Sequence, residues 1–258
     1  MSAAVFRVDS DLVAHAVVGS ELPLPPAAGR HAVSVLRVRP GEGVEVTDGR
    51  GWRAGAQVVS VSGRDACILR ISEVMWEPEP MVRFVVAQAL LKGDQAERAV
   101  DLLTQVGVDE IIPWRAERCV ARWDGDRTAR GEQRWADALA AAALQSRRAR
   151  WPVLHPAADL AGLTTRIAEV RGSGGATLVL HEAADDGLML EALPTRGDTL
   201  IVVGPEGGLT EHEVAALTSV GAHPTRLGTP VLRASSAGAL AVAACSGQNR
   251  WRHDRIGP

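Results

Sequence analysis

Three short segments contain the residues whose types and spacing could do chemistry. His181 and Glu182, the glycine-rich segment 204–208 and the segment 227–233 each follow a short apolar run. Because glycine has no Cβ atom, the backbone N–H and C=O groups of segment 204–208 can approach a ligand and contact the edges of a planar base. Together the segments predict a small-molecule site, although a tight strand-to-helix turn explains a glycine-rich segment equally well.

Several kinds of site do not fit the spacing. The glycines match neither GxGxxG nor GxxxxGK[ST], which argues against a dinucleotide site and a P-loop. Cys67, Cys119 and Cys245 are odd in number, far apart and outside any CxxC pair, so we expect neither a disulfide framework nor a cysteine zinc site. We interpret them as ordinary small core or near-surface residues. The histidines show no metal-ligand spacing, and no metal is predicted.

An alternation of strands and helices after residue 80 would position these segments. The hydrophobic pattern predicts strands at 82–89, 108–114, 176–181 and 199–203, and helices at 94–106, 132–148 and 210–220. Two of the helix starts carry capping pairs, Asp94 with Glu97 and Thr210 with Glu213. The alternation predicts an α/β fold with a mostly parallel sheet, in which ligands bind beyond the carboxyl ends of the strands.

The first part of the chain has a different pattern. It predicts a short helix at 30–37, followed by strands at 44–47, 54–61 and 66–74 with glycine turns between them, which together suit a small β-barrel. Two prolines within segment 77–80 interrupt this pattern. We therefore predict two domains, residues 1–76 and residues 80–258.

Composition and charge limit the class of protein. Of the 258 residues 46% are apolar, which excludes disorder of the whole chain, and no apolar run is long enough to cross a membrane. We expect a cytoplasmic protein without a membrane partner. The net charge is −3, yet residues 115–150 hold nine arginines against five acidic residues. Arg147, Arg148 and Arg150 have few acidic neighbours in sequence, which suggests a phosphate-contacting patch; a solvated helix face with salt bridges is equally compatible.

These residues carry a family resemblance. The chain resembles the cofactor-binding end of the SPOUT methyltransferases in three places: segment 204–210 with Glu213, Leu227-Gly228 and segment 231–233. More specifically, the chain resembles the RsmE family, which methylates N3 of a uridine in small-subunit ribosomal RNA. Further matches follow in order along the chain: His31 with 35–37 and Pro40-Gly41, then 90–94, 107–113 with Glu117-Arg118, Arg134-Trp135, Gln145-Ser146 and Pro152.

The resemblance implies a fold, a cofactor and partners. The fold is an N-terminal PUA-like β-barrel that binds RNA, followed by a trefoil-knotted SPOUT methyltransferase domain with a parallel sheet. The cofactor is S-adenosylmethionine, the assembly is a homodimer, and the RNA partner is 16S ribosomal RNA in the assembled or assembling small subunit. Two alternatives stay open: a SPOUT enzyme acting on another RNA such as transfer RNA, and a non-catalytic RNA-binding ribosome factor. A nucleotide-dependent oxidoreductase or transferase would need a phosphate fingerprint that the sequence lacks.

The resemblance also assigns site residues. The implied cofactor-binding residues are Leu180, His181, Glu182, Val203, Gly204, Pro205, Glu206, Gly207, Gly208, Leu227, Gly228, Val231, Leu232 and Ala237. The implied RNA-binding residues are Arg7, Arg30, His31, Arg37, Arg118, Arg147 and Arg148. For His31 and Arg37 the alternative is a helix that only packs on the barrel.

Two residues are candidates for the chemistry. Arg233 would stabilise the negative charge that spreads onto the uracil oxygens; the alternative is a salt bridge to an acid at the helix start. Glu206 would accept a proton or contact the sulfonium charge; the alternative is that it caps the next helix.

The chain departs from the family at one motif. The family usually reads Leu-Arg-Thr-Glu-Thr-Ala where this chain has Leu232-Arg233-Ala234-Ser235-Ser236-Ala237. The two serines are expected to cap the helix, so the fold should survive. The departure puts any role of the missing glutamate in doubt.

Overall fold

A computed structural model describes residues 3–248, 250 and 251. Contacts along the backbone divide the chain into two compact units. The first runs up to Glu79 and includes Ala143–Trp151; the second comprises Pro80–Ala142 and the chain from Pro152 onward. The outer ends of the two predicted domains, residues 1 and 258, lie outside the described residues.

The first unit is built around one five-stranded sheet. Its elements are β1 (Ala4–Arg7), α1 (Ser10–Ala14), β2 (Glu21–Pro23), α2 (Pro26–Arg30), a π-helical turn (His31–Leu36), β3 (Gly43–Thr47), β4 (Trp52–Ser62) and β5 (Ala66–Trp76). The strand order is β1-β3-β4-β5-β2, so β1 and β2 are the edges. Alternation along β5 buries Cys67, Leu69 and Ile71 and leaves Arg70 exposed. Two register shifts between β4 and β5 bend this sheet around its apolar core.

The helix predicted at 30–37 differs from the observed one. The helical segment begins earlier, at Pro26, because the fixed φ of proline suits the first turn of a helix. It then widens into the π-helical turn and ends at Arg37, which adopts a left-handed conformation with φ of 55°. A π-turn has no signature in the apolar periodicity, so the sequence could not have indicated it.

The second unit is an α/β fold with a parallel sheet, which confirms the prediction. Its elements are β6 (Val82–Ala89), α3 (Gln95–Val106), β7 (Glu110–Trp114), α4 (Asp126–Gln145), β8 (Val153–Leu154), α5 (Leu160–Gly172), β9 (Ala176–Leu180), a 3-10 turn (Leu190–Ala192), β10 (Gly197–Val203), α6 (Glu211–Ser219), β11 (His223–Thr225) and α7 (Ala234–Gln248). The six parallel strands have the order β11-β9-β10-β6-β7-β8. Strands β6 and β10 lie in the middle and are almost wholly buried, as their continuous apolar sequences predict.

One of the two predicted capping pairs is present. Thr210 and Glu213 form the capping box at the start of α6. Asp94 makes no side-chain capping bond, and Glu97 instead accepts a hydrogen bond from Nε of Arg134 in α4 at 2.9 Å. Glu97 pairs with the guanidinium of Arg134 rather than with a backbone N–H, because a hydrogen bond between two charged groups is stronger than one to a neutral backbone group.

The division of the chain also differs from the prediction of one continuous domain at 80–258. Residues 143–151 pair with the first unit, where the N–H of Trp151 donates to the carbonyl of Gly49 at 2.8 Å and the N–H of Gly51 donates to the carbonyl of Ala149 at 3.0 Å. These are backbone hydrogen bonds between distant positions, which no local pattern predicts. No helix within the described residues is both long and apolar enough to cross a bilayer.

Candidate active site

The three segments singled out from the sequence meet at the carboxyl edge of the parallel sheet. Strand β9 lies between β10 and β11, so Leu180 is in register with both Val203 and Thr225. The N–H of His181 donates to the carbonyl of Thr225 at 3.1 Å, which joins two of the loops directly. The loops enclose a cleft of about 760 Å³ together with the start of α7.

Every residue implied to bind the cofactor lines this cleft. They are Leu180, His181, Glu182, Val203, Gly204, Pro205, Glu206, Gly207, Gly208, Leu227, Gly228, Val231, Leu232 and Ala237. Arg233 and Arg118 line it as well. Their roles toward a ligand stay predictions.

The glycine-rich loop after β10 is a tight turn packed against a neighbouring segment. Gly208 has φ of 71°, a conformation that favours glycine, and its N–H donates to the carbonyl of Pro205 at 3.0 Å. A Cβ on Gly204 would lie 3.0 Å from the Leu209 side chain, and one on Gly207 would lie 3.2 Å from Cβ of Arg118. A side chain at Gly207 would therefore press on Arg118.

Glu206 joins two loops of the cleft. Its Oε1 accepts a hydrogen bond from the N–H of Lys92 at 3.1 Å, and Lys92 belongs to the loop after β6. The following helix, α6, is capped by Thr210 and Glu213. Glu206 therefore does not serve as its cap. The rest of its carboxylate is exposed beside the cleft.

Arg233 stands at the start of α7 with its side chain exposed. Its carbonyl accepts hydrogen bonds from the N–H groups of Ser236 and Ala237, both at 2.9 Å, which fixes the backbone at this point. Among the side chains that the structure describes, no carboxylate oxygen lies within 4.0 Å of its guanidinium. The alternative, a salt bridge at the helix start, is not formed there.

The serines that replace the family glutamate and threonine have other partners. Ser235 is 5% exposed, and its hydroxyl donates to Oε1 of Gln95 at 2.9 Å. The Ser236 hydroxyl donates to the carbonyl of Arg233 at 3.2 Å. Both hydroxyls thus act as donors instead of accepting from the helix N–H groups, as capping would require. A neutral pair, Ser235 with Gln95, occupies the position where the family has a carboxylate.

The charged groups around the cleft are of both signs. The lining carboxylates are Glu182 and Glu206, and the lining arginines are Arg118, Arg226 and Arg233. Nδ1 of His181 accepts a hydrogen bond from the N–H of Ala183 at 3.3 Å.

No cysteine provides a nucleophile. Cys67, Cys119 and Cys245 are free and buried, in agreement with their interpretation as core residues. Burial raises the pKa of the thiols of Cys67 and Cys119, and it raises the pKa of Cys245 to about 11, so all three stay protonated at neutral pH. Within the described part of the chain, no group of three or more His, Cys, Asp or Glu residues could hold a metal ion.

The residues implied to bind RNA lie mainly in the first unit. Arg30 ends α2, and His31 begins the π-helical turn. The rings of His31 and Phe6 pack edge to face with their centroids 6.2 Å apart. Arg37 ends that turn. The guanidinium of Arg7 lies 4.5 Å above the ring of Trp151.

The arginines near residue 147 have intramolecular partners. Arg147 donates to the carbonyl of Ala3 at 2.9 Å and lies 3.9 Å from Glu45, and Arg148 donates to the carbonyl of Arg150 at 2.8 Å. Arg147 and Arg150 thus have acidic partners, Glu45 and Glu79, that come from distant parts of the sequence and that the local scarcity of acidic residues does not indicate. RNA binding by these residues stays a prediction.

Several lining residues are not among those that the resemblance assigns to the cofactor, the RNA or the chemistry. They are Leu91, Gln95, Leu209, Thr225, Arg226, Thr229, Pro230, Ala234 and Ser235. Leu91 belongs to a motif that matches the family. Segment 90–95 directly follows β6, the neighbour of β10, and this position is the signal that could have placed Leu91 and Gln95 at the site.

Models of known families match both parts of the chain. A model described as an RNA methyltransferase domain matches residues 77–246, and one described as an RNA methyltransferase PUA domain matches residues 24–72. The first match covers more than half of the chain.

Curated relatives and solved structures agree with these models. The chain is 41% identical over 246 residues to "Ribosomal RNA small subunit methyltransferase E" of Mycobacterium tuberculosis, covering 95% of this chain and 91% of the relative. The Bacillus subtilis protein of the same name is 29% identical over 84% of this chain and 86% of its own.

Two solved structures share the fold. The Neisseria gonorrhoeae methyltransferase E, bound to S-adenosylmethionine, has a TM-score of 0.82 at 24% identity, with 96% of this chain and 98% of that chain covered. A Legionella pneumophila protein in complex with the same cofactor has a TM-score of 0.80 at 25% identity, with 96% and 99% covered. The geometry of the cleft, the family models and the mycobacterial relative lead to one conclusion: the chain belongs to the ribosomal RNA small subunit methyltransferase E family.

Proposed function

We propose that this chain transfers a methyl group from S-adenosylmethionine to N3 of a uridine in 16S ribosomal RNA. The observation that carries the proposal is the cleft at the carboxyl edge of the parallel sheet, where three loops converge. The relatives named for small-subunit ribosomal RNA support the substrate class, and the two solved structures with bound cofactor support the cofactor.

The residues of the cleft fit this cofactor. Its volume of about 760 Å³ lies within the usual range for small-molecule sites, about 300–1,000 Å³. Leu180, Val203 and Leu227 offer apolar walls for an adenine ring, and Glu182 and Glu206 offer negative charge to the cationic groups of the molecule. When bound, S-adenosylmethionine supplies an already activated methyl group on its sulfonium.

Arg233 is assigned to the charge that develops on the acceptor. The N3 atom of uracil is a weakly acidic imide nitrogen, and once its proton is lost the negative charge spreads onto the two ring oxygens. None of the described carboxylates pairs with Arg233, which leaves its charge available to the acceptor. A cation beside the cleft stabilises such charge. Arg233 is not the base, because guanidinium does not deprotonate in proteins.

Glu206 is assigned to the proton of the acceptor. One carboxylate oxygen is held by the N–H of Lys92, which orients the group, and the other is left to accept a proton. Ser235 cannot take this role, because its hydroxyl is buried and donates to Gln95. The missing family glutamate therefore leaves Glu206 and Glu182 as the carboxylates of the described lining.

The remaining features are proposed with the function. The first unit, which contains the PUA match, would bind the RNA through Arg7, Arg30, His31, Arg37, Arg147 and Arg148. We further propose a cytoplasmic homodimer that acts on the assembled or assembling small subunit. Sedimentation equilibrium tests the dimer. The trefoil knot implied by the resemblance stays a prediction, which an experimental trace of the backbone through the loops around the cleft would test.

Two measurements test the function. Calorimetric titration of the purified protein with S-adenosylmethionine tests the cofactor. Mass-spectrometric mapping of 16S ribosomal RNA tests the reaction, in cells that lack the gene and in the same cells complemented with wild type or with Arg233→Ala. We expect one uridine to lose its methyl group and to regain it only with wild type. Cofactor binding with unchanged methylation would instead support a non-catalytic ribosome factor.

A further inference from the structure

Arg118 is in contact with the glycine-rich loop. Its Nη1 donates to the carbonyl of Gly207 at 3.2 Å and to the carbonyl of Leu209 at 3.4 Å. A Cβ added to Gly207 would lie 3.2 Å from the Cβ of Arg118. Both the guanidinium and the stem of Arg118 thus lie against the loop, and the absence of a side chain at Gly207 makes this close approach possible.

A second contact ties the same segment to the end of the loop. Glu213 is 1% exposed, and its Oε1 accepts from the N–H of Glu117 at 2.8 Å. Its Oε2 accepts from the N–H of Thr210 at 2.8 Å. The buried carboxylate therefore joins the residue before Arg118 to the residue that follows the loop. We call Glu117, Arg118 and Glu213 the clasp.

Two peptide groups of the loop are hydrogen-bonded through both their carbonyl and their N–H, and the clasp provides three of these four bonds. In the peptide between Gly207 and Gly208, the carbonyl accepts from Arg118 and the N–H donates to the carbonyl of Pro205. In the peptide between Leu209 and Thr210, the carbonyl accepts from Arg118 and the N–H donates to Glu213. A peptide group with both its carbonyl and its N–H bonded loses these hydrogen bonds if it flips, which favours the observed shape of the loop.

From these contacts we infer that Arg118 is a positioning residue of the cofactor loop, although the resemblance assigns it to RNA. This inference rests on the proposed function, because it takes the cleft to hold S-adenosylmethionine. Two carbonyls on its Nη1 orient the guanidinium toward the loop, which ties Arg118 to the shape of the loop whatever its other donors contact. Arg118 pre-forms the loop and thereby lowers the cost of ordering it upon cofactor binding.

The experiment compares Arg118→Ala with Arg122→Ala. Arg122 lies four residues further along, is exposed and has no hydrogen bond or ion pair within the described residues, so its loss removes the same charge without touching the loop. Hydrogen exchange of the cofactor-free protein reports on peptides that cover 204–210. Calorimetry gives the dissociation constant for S-adenosylmethionine. A salt titration gives the dependence of RNA affinity on ionic strength.

We expect Arg118→Ala to speed exchange at 204–210 and to weaken cofactor binding about five- to tenfold, the effect of losing charge-assisted hydrogen bonds at an exposed site. The KM for the cofactor should rise while kcat at saturating cofactor stays near wild type. Arg118→Lys keeps the charge and should restore part of the affinity. Arg122→Ala should leave exchange and cofactor binding unchanged, and the two alanine variants should show the same salt dependence of RNA binding.

The opposite pattern would overturn the inference. If Arg118→Ala leaves exchange and cofactor affinity as in wild type and lowers the salt slope of RNA binding by about 0.7 relative to Arg122→Ala, Arg118 contacts a phosphate. Unchanged exchange alone also refutes positioning. If wild type does not bind S-adenosylmethionine at all, the proposed function fails, but the exchange comparison still decides whether Arg118 holds the loop.

Discussion

Glu110 should make a large, pH-dependent contribution to the stability of the second unit. It is the first residue of β7, and its side chain is 9% exposed. His155 Nε2 lies 2.8 Å from its Oε2, Arg166 lies 3.2 Å from the same oxygen, and Arg83 bonds to the other oxygen. The hydrogen bond with His155, together with the charges of Arg83 and Arg166, lowers the pKa of Glu110 from 4.5 to about 2.

The magnitude follows from this pKa. At about 1.36 kcal/mol per pH unit, the gap between 4.5 and about 2 corresponds to on the order of 3 kcal/mol of unfolding free energy. Because the pKa is lower in the folded state, the contribution is fully present above the unfolded value of 4.5 and is lost as the pH falls toward 2. By the same relation, about 2 kcal/mol remains at pH 3.5 and about 0.8 kcal/mol at pH 2.5.

The test is the Glu110→Gln variant, which keeps the shape and removes the charge. Urea unfolding at pH 7, 3.5 and 2.5, followed by circular dichroism, gives its difference from wild type at each pH. Glu169→Gln is the control, because Glu169 also pairs with Arg166, at 3.4 Å, but is 60% exposed, and an exposed pair contributes less than about 1 kcal/mol. A Glu110→Gln variant as stable as wild type at pH 7, or a difference that does not narrow in acid, would refute the reasoning.

Three further predictions concern the cleft. Arg233→Ala should lower kcat on RNA by about 100-fold and leave the cofactor dissociation constant within about threefold, measured by methyl transfer and calorimetry; equal losses would make it a binding residue. Ser235→Glu, which restores the family carboxylate, should destabilise the protein by several kcal/mol in urea unfolding and should not raise activity, because the buried charge would face the acceptor oxygen of Gln95. Ser235→Ala should lower the free energy of unfolding by only about 1 kcal/mol. Gly207→Val should weaken cofactor binding by displacing Arg118, so its effect and that of Arg118→Ala should be less than additive in a double-mutant cycle; full additivity would contradict the contact.

The sequence predicts the parts of the fold that depend on local pattern. The apolar run of β6 and the capping box of Thr210 and Glu213 are read directly from neighbouring residues. The convergence of the three loops also follows from the sequence, because carboxyl ends of parallel strands meet at one edge. Strands β8 and β11 have only two and three residues, too few for an alternation to be recognised.

Partners that come from far along the chain could not be predicted. Glu97 bonds to Arg134 instead of capping α3, Arg147 lies beside Glu45, and Ser235 pairs with Gln95. Each of these depends on which elements become neighbours after folding. Leu91 in the loop after β6 and Gln95 at the start of α3 reach the cleft because the strand order places β6 beside β10.

The return of residues 143–151 to the first unit has a consequence for how the protein is made. The carbonyl of Ala149 and the N–H of Trp151 complete the turn around Gly49, and Trp151 supports Arg7. A fragment that stops at Glu79 lacks these partners, and it should be less stable than its apolar core suggests. During synthesis, the nascent N-terminal sheet must wait for some seventy further residues to leave the exit tunnel before its last hydrogen bonds can form.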